Sequence, residues 1–197
     1  MNLILASTSP YRKRLLSRLS LPFETSAPGS DESPRPGEAP EALARRLAEA
    51  KALAVANSYQ SSLVIGSDQV ATVDGQLLNK PGDHDTATAQ LRAAAGREVT
   101  FYTGVALCCA ETGLNAQHVE PFRVRFRPLS DAQIEYYLNT EQPYDCAGSF
   151  KCEGLGISLF EAMVGNDPTS LEGLPLIALT SMLNAAGYPV LKCPDAE

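Results

Sequence analysis

Four apolar residues, Leu3-Ile4-Leu5-Ala6, run without a polar spacer into Ser7-Thr8-Ser9-Pro10. A segment that is apolar at every position suits a short strand buried on both faces, since a half-exposed strand would alternate. Ser9 as N-cap and Pro10 in the first helical position then predict a helix that starts at once. Leu15, Leu16 and Leu19 form its apolar face, with Arg12, Lys13, Arg14 and Arg18 elsewhere. So abrupt a change from buried strand to helix points to a layered α/β or α+β fold.

The remaining pattern fits that class. Leu21-Pro22-Phe23-Glu24 resumes an extended path, and residues 27–40, with four prolines and two glycines, form a loop. Leu43, Leu47, Ala50 and Ala54 recur at helical spacing from Pro40 to about Ala56. Leu63-Val64-Ile65-Gly66 and Val70-Ala71-Thr72-Val73 are expected as two strands, the second ending at the turn Asp74-Gly75. A helix from Asp83 to about Ala95 is closed by Gly96. Val99–Ala110 and Asn115–Phe126 are expected as long strands joined in a hairpin at Glu111-Thr112-Gly113. Ser130-Asp131-Ala132-Gln133 is a capping box ahead of a helix through Leu138. Ile157–Phe160 is expected to be extended, and Leu174 to about Ala186 is the last helix, stopped at Gly187. With no repeat and no long linker, residues 1–197 are expected to be one domain.

Charge narrows the partners. Sixteen Lys and Arg stand against 23 Asp and Glu, a formal net charge of −7. That balance disfavours sequence-independent DNA or RNA binding, which needs a cationic footprint. The excess is polarised, however: residues 1–30 carry Arg12, Lys13, Arg14 and Arg18 against Glu24 alone. No apolar run approaches the roughly 18 residues of a membrane span. Met1–Ala6 lacks the basic flank of a signal peptide, so a cytoplasmic protein is expected. The five cysteines (Cys108, Cys109, Cys146, Cys152, Cys193) are odd in number and contain no C-x-x-C. They read as reduced, mostly buried thiols rather than a zinc site or disulfide framework. His84 and His118 are the only histidines, and neither stands by a Ser or Cys in an elbow motif, which points away from Ser-His or Cys-His catalysis.

Several residues can carry phosphate chemistry. A helix N-terminus at a strand end offers free N–H groups and a positive dipole end, to which Ser7, Thr8, Ser9, Arg12 and Lys13 add donors. The same residues would also suit a capped helix with a solvated basic face. The segment is neither a P-loop nor a dinucleotide fingerprint. Asp68 follows the strand Leu63–Gly66, where it either caps a turn or serves as a base or metal ligand. Glu32 in the proline-rich loop is a second carboxylate, and Lys51 and Lys80 are further cations. Singly each is an ordinary surface residue. Together they supply what phosphoryl hydrolysis needs: cations for the phosphates, carboxylates for a metal, and a base for water.

The motifs Leu5-Ala6-Ser7-Thr8-Ser9-Pro10, Asp31-Glu32, Gly66-Ser67-Asp68, Asn79-Lys80-Pro81, Thr100–Gly104, Asp145-Cys146-Ala147-Gly148 and Gly173-Leu174-Pro175-Leu176 occur in order along nearly the whole chain. In this the sequence resembles the Maf family of nucleoside triphosphate pyrophosphatases. The resemblance implies a mixed α/β fold, a twisted sheet with flanking helices related to the inosine-triphosphate pyrophosphatases, with two lobes around a central cleft as one form of it. It implies cleavage between the α- and β-phosphates with a divalent metal (Mg, Mn or Co). It makes Asp68 the proton acceptor for the attacking water, with Glu32 and Asp68 as metal ligands. Ser7, Arg12 or Lys13, Lys51 and Lys80 become phosphate ligands. Related proteins are commonly homodimers.

Three positions bear on the base. Members acting on dTTP and UTP usually carry Arg after the Ser-Pro, Thr after the catalytic Asp, and Gln at a third position. Here those positions hold Tyr11, Gln69 and Glu153, which resembles the YceF-type subfamily associated with 7-methyl-GTP. N7-methylation makes the guanine ring cationic, suiting it to stacking on Tyr11. Glu153 can accept from guanine N1–H and the exocyclic amine, whereas it would repel the carbonyl oxygens of uracil or thymine. Gln69 has a donor and an acceptor for another base edge. Alternatively Tyr11 packs on the helix and Glu153 is a solvated loop acid beside Gly154. Two rival functions stay open: the same chemistry on dTTP, UTP, CTP or GTP, and a nucleotide-binding regulator of cell division and septum formation.

Overall fold

In the computed structural model, which describes residues 1–191, β1 (Leu3–Ala6) is buried at every position. It hands over to α1 (Pro10–Ser17), where the Ser9 side chain caps the helix by accepting from the Arg12 N–H. The remaining elements are β2 (Glu24–Ser26), α2 (Pro40–Ala56), β3 (Leu63–Val73), β4 (Gln76–Leu78), α3 (His84–Ala94), β5 (Glu98–Cys109), β6 (Leu114–Phe126), α4 (Asp131–Glu141), β7 (Phe160–Val164), α5 (Pro168–Leu171) and α6 (Leu176–Ala185). Among the described residues seven strands form one mixed sheet in the order β2-β1-β3-β5-β6-β7, with β4 paired to β3. β1 is parallel to β2 and β3, and the other pairs are antiparallel. The mixed α/β class and the β5–β6 hairpin match expectation.

Three local readings need correction. The two strands expected at Leu63–Gly66 and Val70–Val73 are one, because Ser67, Asp68 and Gln69 stay in register with Val105, Gly104 and Thr103 of β5. Tertiary partners satisfy the polar side chains that suggested a break: Ser67 Oγ lies 2.8 Å from the Gly104 carbonyl and 2.9 Å from that of Gly173. Asp68 is therefore inside a strand, not at its end. Of Ile157–Phe160, expected to be extended, the first three residues lie in a 3-10 turn (Leu155–Leu159), and β7 begins only at Phe160. The helix after the Ser130 capping box runs past Leu138 to Glu141 and ends on Gln142 in the left-handed region (φ 46°).

The strand period of two assigns the sheet faces. Ile4, Ala6, Val64, Ala106 and Cys108 pack against Ala48, Ala52 and Val55 of α2. Leu3, Leu5, Leu63, Ile65 and Leu107 pack on the other face against Leu15 and Leu16 of α1 and Leu179 and Leu183 of α6. α2 lies close on its face because Gly66 and Gly104 are opposite it: a Cβ at either would overlap the carbonyl oxygen of Ala48 or Ala44. A further core under α3 and α4 is built on Phe101, Phe126, Phe150 and Phe160, with the Phe150 and Phe160 rings edge to face at 4.9 Å. Cys108 and Cys109 are buried, Cys146 and Cys152 are half-buried, and Cys193 lies outside the described residues. No helix among the described residues is long and apolar enough to cross a membrane.

Candidate active site

β1 stays paired with β3 only as far as Leu5 opposite Ile65, and β4 joins β3 at Ala71. Between those points the edge of β3 is bare, and a cleft of about 640 Å³ opens beside it, at the carboxyl end of β1 and the N-terminus of α1. Open α/β sheets take their ligands at such a position. Ser7, Tyr11, Arg12, Glu32, Lys51, Asp68, Gln69, Lys80 and Glu153 all line it. Lys13 does not: it lies on the exposed side of α1, so Arg12 is the residue of that pair that reaches the cleft.

The centre is a chain of charges. Asp68 points to the α2 face of β3, where Lys51, 5% exposed, projects from α2. Lys51 Nζ lies 2.6 Å from Asp68 Oδ1 and 2.9 Å from Glu32 Oε1. The loop that carries Glu32 is pinned by α2 as well. Arg46 Nε binds Glu38 Oε1 at 2.6 Å, and its terminal nitrogen donates to the Ser33 carbonyl at 3.0 Å. One helix thus positions both the lysine and the loop acid.

Arg12 is held by a backbone contact, its Nε donating to the Gly173 carbonyl at 2.9 Å. Gly173 sits at φ 110°, where a side chain would be strained, so the turn that presents this carbonyl to Arg12 and Ser67 needs glycine. Withdrawal from water pulls the Arg12 guanidinium below its ordinary pKa, with the charges of Asp68 and Glu32 opposing. Ser7 is buried, and its Oγ accepts from the Ser9 N–H at 3.1 Å. Lys80 lines the cleft but is exposed.

A second group of residues meets Tyr11. Its hydroxyl lies 3.5 Å from Asp145 Oδ2 and 3.8 Å from Cys146 Sγ. Burial first, then the neighbouring Cys146, Asp145 and Glu153, push the phenol above its ordinary pKa. Burial likewise pushes the Cys146 thiol up to about 12, which keeps it protonated and poorly nucleophilic. Glu153 receives Arg14 at 3.2 Å. Gln69 faces the sheet side opposite Asp68, and its Nε2 donates to the Ser170 and Leu171 carbonyls at 2.8 and 3.1 Å. Its donor therefore holds the α5 turn, leaving only its carbonyl oxygen for a ligand.

Asp145, Glu172 and Gly173 also line the cleft, although the sequence reading assigned them no role. Asp145 and Gly173 fall within motifs that marked them; Glu172 carried no signal.

No cluster of three or more His, Cys, Asp or Glu suited to a metal stands among the described residues. Glu32 and Asp68 nevertheless converge on one ammonium, so their oxygens are directed at one point. A magnesium-type cation is commonly held by one or two carboxylates with waters and substrate phosphates completing its shell, and the pair fits that pattern.

Comparison with known proteins places the chain in a family. A family model described as Maf-like protein matches residues 2–186. The 7-methyl-GTP pyrophosphatase of Albidiferax ferrireducens is 56% identical over 189 residues, covering 96% of this chain and 95% of the relative. The protein of that name from Nitrosococcus oceani gives the same identity and coverage, and that from Polaromonas sp. is 55% identical over 94% of this chain and 84% of its own. Among solved structures, the Ham1 protein of Staphylococcus aureus gives a partial likeness, with a TM-score of 0.47 at 14% identity over 65% of this chain and 73% of that one. A family match across almost all of the chain, with relatives more than half identical, means that it belongs to the Maf family.

Proposed function

We propose that the chain is a nucleoside triphosphate pyrophosphatase that hydrolyses 7-methyl-GTP to 7-methyl-GMP and pyrophosphate, residues 1–197 acting as one catalytic unit. The observation that carries this reading is the division of one cleft between two sets of groups. Arg12, Lys51 and Lys80 supply cations, with the Asp68 carboxylate held among them. Tyr11, Asp145 and Glu153 supply an aromatic face and negative charge. A triphosphate needs the first set and a cationic base the second. The names of the relatives agree with that substrate.

In this mechanism Asp68 accepts a proton from the water that attacks the α-phosphorus. The new P–O bond forms as the bond from the α-phosphorus to the bridging oxygen breaks, and pyrophosphate leaves with that electron pair. Lys51 holds the Asp68 carboxylate in place through their 2.6 Å contact. An ammonium has three N–H donors, so after Glu32 and Asp68 one remains for a phosphate oxygen. Arg12, Ser7, Lys80 and the N–H groups opening α1 take up the remaining phosphate charge. When held by Glu32 and Asp68, a divalent cation (Mg, Mn or Co) supplies further neutralisation of the phosphate oxygens.

Tyr11 offers a ring to the methylated guanine, and Glu153 offers acceptors to its N1–H and amine. The test is pyrophosphate release from 7-methyl-GTP, GTP, dTTP, UTP and CTP with each of Mg²⁺, Mn²⁺ and Co²⁺. The highest kcat/KM is expected for 7-methyl-GTP, with Asp68→Asn as the inactive control. Nucleotide binding without release of pyrophosphate in any combination would sink the enzyme reading and favour a regulator.

A further inference from the structure

Tyr11 and Arg14 stand three residues apart on α1, so both side chains leave the same face of the helix. The Arg14 guanidinium lies 5.8 Å from the centroid of the Tyr11 ring. Its terminal nitrogen is 3.2 Å from Glu153 Oε1. A planar cation therefore already rests between the aromatic ring and the carboxylate proposed above to receive a cationic base. We propose that Arg14 is a built-in stand-in for the cationic base, occupying the Tyr11–Glu153 site in the free enzyme and vacated when the nucleotide binds. The proposal rests on the 7-methyl-GTP reading of that site.

The surroundings suit a contact that must be given up. The Arg14 side chain is 58% exposed, so the displaced guanidinium re-enters water at little cost. It also has a second seat, since Glu172 Oε2 lies 3.8 Å from the same nitrogen and Glu172 is already shared with Arg18 at 3.9 Å. Burial, then the charge of Glu153, pushes the Glu172 carboxyl above its ordinary pKa, and a returning cation relieves that penalty. In the free enzyme Arg14 keeps Glu153 from repelling Asp145 and Glu172, which line the same cleft. A cationic base replaces one positive charge by another there, whereas a neutral base leaves Glu153 without a counter-charge. Discrimination between bases thus belongs to Glu153, and Arg14 sets the threshold that every nucleotide must cross.

The two effects are separable by equilibrium binding. Calorimetry of 7-methyl-GTP and of GTP is run on Asp68→Asn protein, to prevent turnover, with Arg14 intact, as Arg14→Gln and as Arg14→Lys. Arg14→Gln is expected to tighten both nucleotides by about three- to tenfold, the size of an exposed ion pair plus a cation–π contact. The preference for 7-methyl-GTP over GTP is expected to persist. Arg14→Lys, which keeps the charge on Glu153, is expected to stay nearer the parent affinity. Unchanged or weaker binding by Arg14→Gln, or an equal gain by Arg14→Lys, overturns the displacement while leaving the pyrophosphatase reading intact. If the wild-type protein releases pyrophosphate from no nucleotide, the pyrophosphatase reading fails instead, whatever Arg14 does.

Discussion

Lys51 on α2 and Asp68 on β3, 17 residues apart in the chain, meet at 2.6 Å in a buried contact that also reaches Glu32. The proposed base is thus held in position by a lysine from the layer above the sheet. Changing either residue takes from the other its nearest counter-charge.

Replacing Asp68 by Asn removes the base and leaves the cations in place. Turnover of 7-methyl-GTP is expected to fall by about 10²–10⁴-fold, the usual contribution of a general base, while nucleotide binding by calorimetry stays largely intact. Hydrolysis near the wild-type rate would exclude Asp68 from this role.

Lys51→Met is expected to affect folding as well as activity. Removing one partner of a buried ion pair costs about 3–5 kcal/mol, and the open cleft, which lets water reach the orphaned carboxylate, reduces this to about 1–3 kcal/mol. Urea denaturation reads the loss directly; a midpoint equal to wild type would mean that the pair contributes nothing net.

Glu153→Gln keeps the size of the side chain and removes its charge. The preference for 7-methyl-GTP over UTP, read as the ratio of kcat/KM, is expected to drop about tenfold, since exchanging one charge-assisted contact is worth about 1–2 kcal/mol. An unchanged ratio removes Glu153 from base recognition.

Gly66→Ala drives a methyl group into the Ala48 carbonyl of α2. Overpacking of this kind costs about 1–3 kcal/mol or more, because backbone rather than a flexible side chain must move. A lower Tm is expected together with lower activity, since α2 carries Lys51. A variant with the wild-type Tm would show that helix and sheet are less tightly apposed than the geometry indicates.

Acid should loosen the loop that carries Glu32. Hydrogen bonds from Arg46 first, and then from the Arg35 N–H, hold the Glu38 carboxyl down to about 2, from an ordinary value of 4.5. A folded-state value below the unfolded one means that this stabilisation is complete above about pH 4.5 and is lost as pH falls towards about 2. Wild type and Glu38→Gln should therefore differ in urea midpoint by a constant amount at neutral pH and converge between those limits. A gap that is independent of pH there would refute the assignment.

Much of the local structure was legible from residue order alone. Pro10 and Ser9 start α1, Gln133 reaches back to Ser130 to start α4, and Thr112-Gly113 lets β5 turn into β6. These devices act over a few residues, so neighbouring side chains suffice to predict them. Local preference gives way where distant partners override it. Ser67-Asp68-Gln69 looked like the end of a strand, yet β5 and the Gly173 turn satisfy its polar groups and carry β3 through.

The candidate site residues were likewise named from spacing and family motifs, but their arrangement was not legible there. Arg12 and Lys13 are equivalent in sequence; only the angle at which α1 packs its leucines over the sheet turns Arg12 into the cleft and Lys13 to solvent. Asp68 and Gln69 are adjacent, yet the strand pleat sends one to Lys51 and the other to the α5 carbonyls. Arg14 stood out only as one of four early cations and Glu172 not at all, because their meaning lies in the contacts Arg14 makes with Glu153, 139 positions away, and with Glu172. The class of fold, the elements and the available chemical groups follow from residue order, since they depend on local propensity and residue type. Which charges face one another emerges only in the folded chain, because pairing across layers depends on the packing of α1 and α2 over a sheet whose order the chain does not display.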